Sequence, residues 1–224
     1  MASLKTRGDL VKAGYNAIAT RYLSSRTSTS EDVQLLQDLI ERLSRGAKVL
    51  DIGCGAGVPV TELLVKYFDV TGVDLSEKQI ELARKLVPGA TFICSDMNTL
   101  AFPDASFDAI CSYYALIHVP RVRHRRILHN LHRMLKPNGL LLITLGLGNL
   151  PSSVEPDFFG APNYWSHYGA RTNIKMVKAC GLEVLWAKVI DVSHNQKFKH
   201  LFVLAQKLRP DQQIRKPQPQ KPML

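Results

Sequence analysis

Three glycines at alternate positions follow a short apolar strand that ends in a carboxylate. The run is Val49-Leu50-Asp51-Ile52-Gly53-Cys54-Gly55-Ala56-Gly57, and residues typical of a helix come directly after it. Glycine at this spacing lets the backbone turn tightly and approach a ligand closely, because no Cβ intrudes. The exposed N–H groups at the start of the next helix favour an anionic or strongly hydrogen-bonding group. The sequence therefore predicts a loop that holds a nucleotide-like molecule at the carboxyl end of a sheet.

A second carboxylate follows at a distance that suits a ribose. Asp74 ends a strand-like run that begins at Val70, and a carboxylate about 20 residues beyond the glycines can accept hydrogen bonds from both ribose hydroxyls. Asp74 could instead be a turn residue, but Ser76 and Gln79 already supply a capping box for the following helix. A dinucleotide fingerprint requires G-x-G-x-x-G, and Val58 stands where its last glycine would be. The loop therefore argues against a dinucleotide ligand.

Strand-like and helix-like segments alternate through most of the chain. Predicted strands are 47–52, 70–74, 91–94, 107–112 and 140–145, and predicted helices are 7–24, 31–45, 57–67, 76–86, 121–136 and 172–180. Such alternation predicts an α/β fold with a mostly parallel sheet and helices on both faces, its binding loops lying outside the carboxyl ends of the strands. Two further runs, 182–191 and 199–205, are joined through residues 193–196 and predict a C-terminal antiparallel hairpin. Together these runs give a doubly wound sheet of seven strands.

The chain divides into three predicted parts. Residues 1–45 form an N-terminal helical cap. Residues 46–206 form the main domain, with a loop over 146–170 that has no regular structure and is long enough to act as a lid. The tail, residues 207–224, is rich in proline, glutamine and lysine and is predicted to be disordered.

The net charge of +10 raises the question of a nucleic-acid partner. Residues 121–136 carry six Lys or Arg and no acid, and residues 206–224 carry five Lys or Arg and one acid. The excess charge thus lies on one helix face and one tail, without the interleaved aromatics of a broad nucleic-acid surface. A nucleic-acid partner is therefore not expected.

Composition also bears on compartment and metal content. No apolar run approaches the ~20 residues that cross a membrane, and no apolar signal core follows the N-terminus. The four cysteines are far apart and lack the spacing of metal ligands. The sequence predicts reduced thiols, no metal site and a cytoplasmic protein without a membrane span.

Four motifs occur in order along the chain. They are Leu50–Gly57, Gly72-Val73-Asp74-Leu75-Ser76, Phe102–Asp108 and Leu135–Gly139. They resemble the successive motifs of the class I S-adenosylmethionine-dependent methyltransferases, and most of all the small single-domain group typified by the ubiquinone and menaquinone biosynthesis methyltransferases. The resemblance covers residues 10 to 205 and implies a Rossmann-like fold. It also implies S-adenosyl-L-methionine as cofactor and S-adenosyl-L-homocysteine as product.

The same resemblance implies which residues hold the cofactor. Its methionine end is assigned to the glycine loop and its neighbours: Asp51, Gly53, Cys54, Gly55, Gly57, Ser112 and Tyr113. Its adenosine end is assigned to Asp74 on the ribose, Leu75 and Met97 on the adenine ring, and Asp96 on the adenine amino group. Met97 has core packing as its other interpretation. Tyr22 lies in a segment that resembles the N-terminal motif closing over the methionine, and aromatic packing under a lid is its alternative.

Two histidines are candidate proton acceptors. His118 comes shortly after strand 107–112, and its unperturbed pKa lies near neutrality, although a packing role is the other interpretation. His167 lies in the predicted lid loop beside Tyr164, Trp165 and Tyr168. Aromatics with a histidine suit a lid over an apolar substrate with one polar anchor, so His167 is the leading candidate for acceptor contact.

The resemblance predicts methyl transfer to oxygen, nitrogen or carbon of a small-molecule acceptor. Because the cofactor's methyl group is already activated, the enzyme mainly needs to align the reacting atoms, and no catalytic triad or metal cluster is required. Two alternatives remain open. One is a non-catalytic cofactor-binding protein that regulates a partner, and the other is a tRNA or protein methyltransferase that docks through residues 121–136. The sequence does not name the acceptor or the oligomeric state.

Overall fold

The computed structural model describes residues 4–191 and 199–209, with the side chains of residues 4–6 left aside. Its helices are α1 (Leu4–Ser24), α2 (Glu31–Gln34), α3 (Gln37–Arg42), α4 (Val60–Leu64), α5 (Glu77–Leu86), α6 (His124–Met134) and α7 (Ala170–Ala179). Its strands are β1 (Lys48–Ile52), β2 (Asp69–Asp74), β3 (Thr91–Cys94), β4 (Phe107–Ser112), β5 (Leu135–Gly146), β6 (Leu150–Phe158), β7 (Ala161–His167), β8 (Leu182–Asp191) and β9 (Lys199–Lys207).

Seven of these strands form one sheet in the order β3-β2-β1-β4-β5-β9-β8. The first five strands pair in parallel, and β9 runs antiparallel to both β5 and β8. The predicted doubly wound, mostly parallel sheet with an antiparallel end is thereby confirmed. The connection 193–196 and the predicted disordered tail from residue 210 onward lie outside the described residues.

The central strands β1, β4 and β5 are buried on both faces, which explains their continuous apolar runs. Alternate residues of β1 enter different apolar clusters: Leu50 and Ile52 pack with α6 and α7, and Val49 packs with α2, α3 and α4. Because side chains alternate across a strand, the two clusters are the cores on the two faces. The parallel register sets Asp51 beside Gly72, so the carboxyl ends of β1 and β2 reach the same edge.

Helix α1 is fixed over that edge by polar contacts to the start of α5. Ser76 caps α5 by accepting from the backbone N–H of Gln79 at 3.2 Å. Asn16 adds a second cap, since its Oδ1 accepts from the Ser76 hydroxyl at 2.6 Å and from the Lys78 N–H at 3.2 Å. An ion pair between Lys12 and Glu77 lies alongside. The cap helix therefore closes the edge where the glycine loop lies.

The prediction of an irregular lid loop over 146–170 is wrong. Strands β6 and β7 pair there as a separate antiparallel hairpin, and its tip turns through Phe159 and Gly160, which have φ of 54° and 90°. Most of β6 is exposed, so the strand shows no inward-facing apolar alternation that would have predicted it. The hairpin packs on α1: a Cβ on Gly14 would lie 2.6 Å from the Pro162 carbonyl oxygen.

Three helices have different bounds in the structure from those that the sequence predicts. The predicted helix 31–45 is interrupted between α2 and α3. The predicted helix 57–67 is shorter in the structure, because α4 begins only after Pro59 at its N-cap position and ends at Leu64. The predicted helix 121–136 starts with a 3-10 turn over Arg121–Arg123 before α6 begins. Within the described residues, no helix has the length and apolarity to cross a bilayer.

Candidate active site

A cavity of about 380 Å³ lies at the carboxyl edge of the sheet, beneath α1. Eight of the predicted cofactor residues line it: Tyr22, Gly53, Gly55, Asp74, Leu75, Asp96, Met97 and Tyr113. Lys12, Tyr15, Asn98, His118 and Arg123 also line it. The fold therefore gathers residues from the glycine loop, from the loops after β2, β3 and β4, and from the cap around one space.

The glycine loop fixes the carboxylate of Asp74. The Gly55 N–H donates to one oxygen of Asp74 at 2.9 Å, and the Ser76 N–H donates to the other at 2.8 Å. Gly55 has a φ of 54°, a left-handed conformation that glycine adopts without a Cβ penalty. Burial raises the pKa of Asp74, while these backbone N–H groups lower it. Each carboxylate oxygen keeps a lone pair that can accept from a ligand hydroxyl.

Four predicted cofactor residues do not line this cavity. Asp51 is buried under the loop, where its carboxylate accepts from the Thr61 hydroxyl at 2.6 Å, and burial raises its pKa to about 7. Ser112 is also buried, and Cys54 lines a separate small cavity of about 40 Å³. Gly57 has a φ of 78°, and a Cβ there would lie 3.1 Å from Val87. The structure thus gives Gly57 a packing role rather than a cavity contact.

A buried charged network, which the sequence did not indicate, lies behind the glycine loop. Asp32 is fully buried, and its Oδ2 accepts from Arg26 at 3.2 Å and from the Tyr114 hydroxyl at 2.8 Å. The guanidinium of Arg26 also lies 5.0 Å from the centre of the Tyr114 ring. Tyr114 has a φ of 55°, an uncommon conformation for a bulky residue. The one signal in the sequence is that Arg26 is the only charged residue in the Ser/Thr-rich segment 22–30.

Arg26 and Gln79 line the 40 Å³ cavity together with Cys54. Gln79 is 1% exposed, and neither polar atom of its side chain has a hydrogen-bond partner within the part of the chain that the structure describes. An unpaired buried amide costs about 1–3 kcal/mol. A guanidinium beside an unpaired amide therefore makes this small cavity suited to a charged, hydrogen-bonding ligand group.

His118 is held between two partners. Its Nδ1 lies 2.7 Å from the Tyr164 carbonyl oxygen, and its Nε2 lies 2.9 Å from the Tyr15 hydroxyl. A carbonyl oxygen can only accept, so Nδ1 carries the hydrogen and Nε2 accepts from Tyr15. Burial lowers the pKa of His118 to about 4. The imidazole is therefore neutral near pH 7, with its acceptor nitrogen directed at a hydroxyl that lines the cavity.

His167 does not line the cavity. It ends β7, where its Nδ1 lies 2.8 Å from the Gly148 carbonyl oxygen, and its ring lies so close to Gly146 that a Cβ there would meet it at 2.0 Å. Of the neighbouring aromatics, Trp165 packs on His118 with ring centroids 5.1 Å apart. The expectation that His167 contacts the acceptor finds no support in this geometry, whereas His118 lines the cavity.

Comparison with known proteins gives an independent view of the domain. The family model of the methyltransferase domain matches residues 49–139. The 2-methyl-6-phytyl-1,4-hydroquinone methyltransferase of Synechocystis sp. is 34% identical over 57% of this chain and 43% of that protein. The trans-aconitate 2-methyltransferase of Variovorax paradoxus is 37% identical over 58% of this chain and 48% of that protein. The chain spans about half or less of the curated relatives it matches.

The fold has solved counterparts over most of its length. The 1,6-didemethyltoxoflavin-N1-methyltransferase of Burkholderia thailandensis, whose structure contains 1,6-didemethyltoxoflavin and S-adenosylhomocysteine, superposes with a TM-score of 0.72. The superposition covers 93% of this chain and 92% of that chain at 16% identity. At this identity the likeness establishes the Rossmann-like fold alone. The predicted resemblance to class I methyltransferases is confirmed by these findings together.

Proposed function

We propose that this chain, whose residues 49–139 match the methyltransferase domain, is an S-adenosylmethionine-dependent methyltransferase. It binds the cofactor in the 380 Å³ cavity and transfers the methyl group to oxygen, nitrogen or carbon of a small-molecule acceptor. The observation that carries the proposal is the Asp74 carboxylate, which two backbone N–H groups hold beside the glycine loop. Such a fixed carboxylate at this edge is suited to a ribose.

The remaining polar groups of the site fit the rest of the cofactor. One oxygen of Asp96 accepts from the N–H and the side chain of Asn98, both at 2.8 Å, which leaves the other oxygen for an adenine amino group. Arg26 and the unpaired amide of Gln79 match the carboxylate and ammonium of an amino acid. A ligand that pairs the buried amide would remove its cost of about 1–3 kcal/mol.

When bound, the cofactor supplies a methyl carbon that its sulfonium already activates. The chain's own part is to align the acceptor, exclude water and accept a proton. Helix α1 covers the cavity, and Tyr15 and His118 provide a path for the proton of an acceptor O–H or N–H. The proton moves to the Tyr15 oxygen as the Tyr15 proton moves to Nε2 of His118, which its bond to the Tyr164 carbonyl keeps in the required tautomer.

A small-molecule acceptor is favoured over a nucleic acid by the contacts of residues 121–136. Arg121 donates to Asn149, Arg133 pairs with Asp104, and Lys136 pairs with Asp108 at 2.8 Å. These basic groups are engaged within the chain rather than presented together on a docking face. We also infer a cytoplasmic setting, which the four unpaired thiols support.

The domain division also remains a proposal. Residues 1–45 act as a cap on the domain 46–206, which the contacts of α1 with α5 and β7 support. The sequence predicts a tail over residues 207–224, but Lys207 is the last residue of β9, so the proposed tail begins at residue 208.

Calorimetric titration with S-adenosylhomocysteine tests the proposal. We expect one site per chain, and Asp74→Ala should lower the binding free energy by about 1–3 kcal/mol, the scale of hydrogen bonds to a charged acceptor. Asp69→Ala is the matched control, because Asp69 is exposed at the opposite end of the same strand. Absence of binding, or equal losses in the two variants, would overturn the assignment of the site.

A second assay addresses the reaction. Radiolabelled S-adenosylmethionine and this chain are incubated in three separate reactions, one with pooled metabolites, one with nucleic acid and one with other proteins as the possible acceptor. Label in the metabolite pool is the expected result. Label in nucleic acid or protein would instead favour a macromolecular acceptor, and binding without any transfer would favour a regulatory role.

A further inference from the structure

Helices α6 and α7 lie side by side on one face of the sheet. Leu131 of α6 and Val177 of α7 are buried in the same apolar cluster, and the thiol of Cys180, directly after α7, donates to the Arg125 carbonyl oxygen at 3.8 Å. The buried residues of each helix recur at helical spacing, so the positions between them face solvent. The two helices therefore present one continuous outer surface.

This outer surface is basic. Neither helix contains an Asp or a Glu. We call the exposed Lys and Arg residues of the two helices the basic face; they are Arg125, Arg126, Arg171, Lys175 and Lys178. None of them forms an ion pair with another described residue, and Arg126 donates only a long hydrogen bond, 3.5 Å, to the Asn98 carbonyl oxygen. Cations without nearby acids raise the local potential and attract an anionic partner.

The opposite side of the sheet has a different charge. There α2 and α3 carry one cation, Arg42, and four acids, which are Glu31, Asp32, Asp38 and Glu41. The positive charge of the described helices is thus concentrated on one side rather than spread evenly. A charge distribution of this kind orients a protein as it approaches a charged surface, so the basic face is the side that meets an anionic partner.

An exposed apolar side chain beside the basic face indicates the kind of partner. Val122 lies in the 3-10 turn that leads into α6, between Arg121 and Arg123. Its exposure of 69% exceeds that of every other large hydrophobic side chain that the structure describes. At a lipid surface, cations meet the anionic headgroups while a neighbouring apolar side chain enters the boundary with the acyl chains. Single-stranded nucleic acid is instead bound by aromatic side chains that stack on bases, and α6 and α7 contain no Phe, Tyr or Trp.

We propose that the basic face docks on an anionic lipid bilayer, with Val122 entering its interface. Each Lys or Arg close to such a surface raises the affinity about fivefold, so the five cations together contribute a factor of roughly 10³. The attraction decays over a Debye length of about 8 Å at physiological ionic strength, which makes the docking reversible and dependent on salt. It requires neither the cofactor nor the acceptor. The cytoplasmic leaflet is the anionic one, in keeping with the proposed cytoplasmic setting.

Co-sedimentation of the full chain with lipid vesicles tests the docking. One set of vesicles contains phosphatidylcholine alone, and the other contains about 30% phosphatidylserine to supply the negative surface potential. We expect binding to the second set at low salt and release at about 1 M salt, where the Debye length is roughly 3 Å. Equal binding to both sets of vesicles, or binding to neither, would overturn the proposal.

Paired charge variants locate the contact. Arg171→Gln combined with Lys175→Gln removes two cations of the basic face, and the partition coefficient should fall about 25-fold, roughly fivefold for each cation. Arg42→Gln combined with Lys66→Gln is the matched control, because it removes the same charge from exposed positions on the opposite side of the sheet. Equal losses in the two double variants would show that net charge alone drives binding, and would overturn the assignment to the basic face.

Two further measurements separate a bilayer from a nucleic acid. Val122→Ser should weaken vesicle binding by roughly 3- to 10-fold, since about half or more of an apolar side chain would leave the interface, and the loss should be similar at low and intermediate salt. A single-stranded RNA oligonucleotide is then added to vesicle-bound protein at equal total negative charge. Vesicle binding that persists supports the bilayer. Complete displacement by RNA, with RNA binding reduced in the Arg171/Lys175 double variant and unaffected by Val122→Ser, would overturn it in favour of a nucleic-acid partner.

Discussion

Removal of Arg26 should destabilise the whole chain, because it leaves a buried carboxylate without its cation. Asp32 is 0% exposed. Within the described residues, its carboxylate forms an ion pair with Arg26 at 3.2 Å. Breaking such a buried pair costs about 3–5 kcal/mol. At roughly 2–4 °C per kcal/mol for a chain of this size, Arg26→Met should lower the melting temperature by about 6–20 °C.

The partner variants separate charge burial from lost packing. Asp32→Asn removes the negative charge, so Arg26→Met should cost much less in the Asp32→Asn background than alone. The coupling energy of the pair should exceed about 1 kcal/mol, as for residues within one hydrogen-bonded network. Urea unfolding followed by circular dichroism gives the four free energies of the cycle, and equal m-values would show that the unfolded states are comparable.

A surface pair provides the control for this cycle. Arg42 lies 3.9 Å from Asp38, with side-chain exposures of 48% and 29%, and exposed pairs contribute about 0–1 kcal/mol. Arg42→Met should therefore leave stability nearly unchanged. If Arg26→Met and Arg42→Met cost the same, the network behind the glycine loop is screened by water, and our interpretation of it as a buried, structure-determining pair is wrong.

Three further predictions follow from individual residues. Burial lowers the pKa of His124 to about 4, so the free energy of unfolding decreases as the pH falls from 6.5 toward 4. Between pH 7 and pH 5 this decrease should be about 2 kcal/mol smaller in His124→Gln than in the parent protein. Gly57→Ala should destabilise by at least about 1–2 kcal/mol because of its left-handed φ, whereas Gly8→Ala, a helical position with open space around it, should stabilise by up to about 1 kcal/mol in thermal melts. His118→Gln should lower turnover by roughly tenfold or more, below the upper range of general base catalysis because burial makes His118 a weak base, and His167→Ala should leave it near wild type.

The parts of the fold that follow from local sequence are those buried on both faces. Strand 107–112, which is buried along most of its length, was predicted with the bounds that the structure has, because continuous apolar runs between turn residues have few other stable arrangements. Parallel topology then brings the residues after successive strands to one edge. Asp74 and Asp96 could therefore be assigned to a single site without any knowledge of tertiary contacts.

The β6–β7 hairpin could not be predicted in the same way. Its first strand contains Pro151, Pro156 and two acidic residues, all of low β-propensity, and it is exposed along most of its length. What holds it is pairing with β7 and the close approach of Pro162 to Gly14. The contact of Pro162 with Gly14 joins residues far apart in the chain, and no window of local sequence contains it.

The same distinction separates the two halves of the site. The proposed contacts of Asp74 and Asp96 with the cofactor come from loops that the sheet itself positions, so each of the two follows a recognisable strand. The proposed acceptor contacts depend on Tyr15 reaching His118 across 103 residues, and on His118 reaching Tyr164 across another 46. Changes in α1 and the hairpin can therefore alter the acceptor while the sheet edge keeps the cofactor.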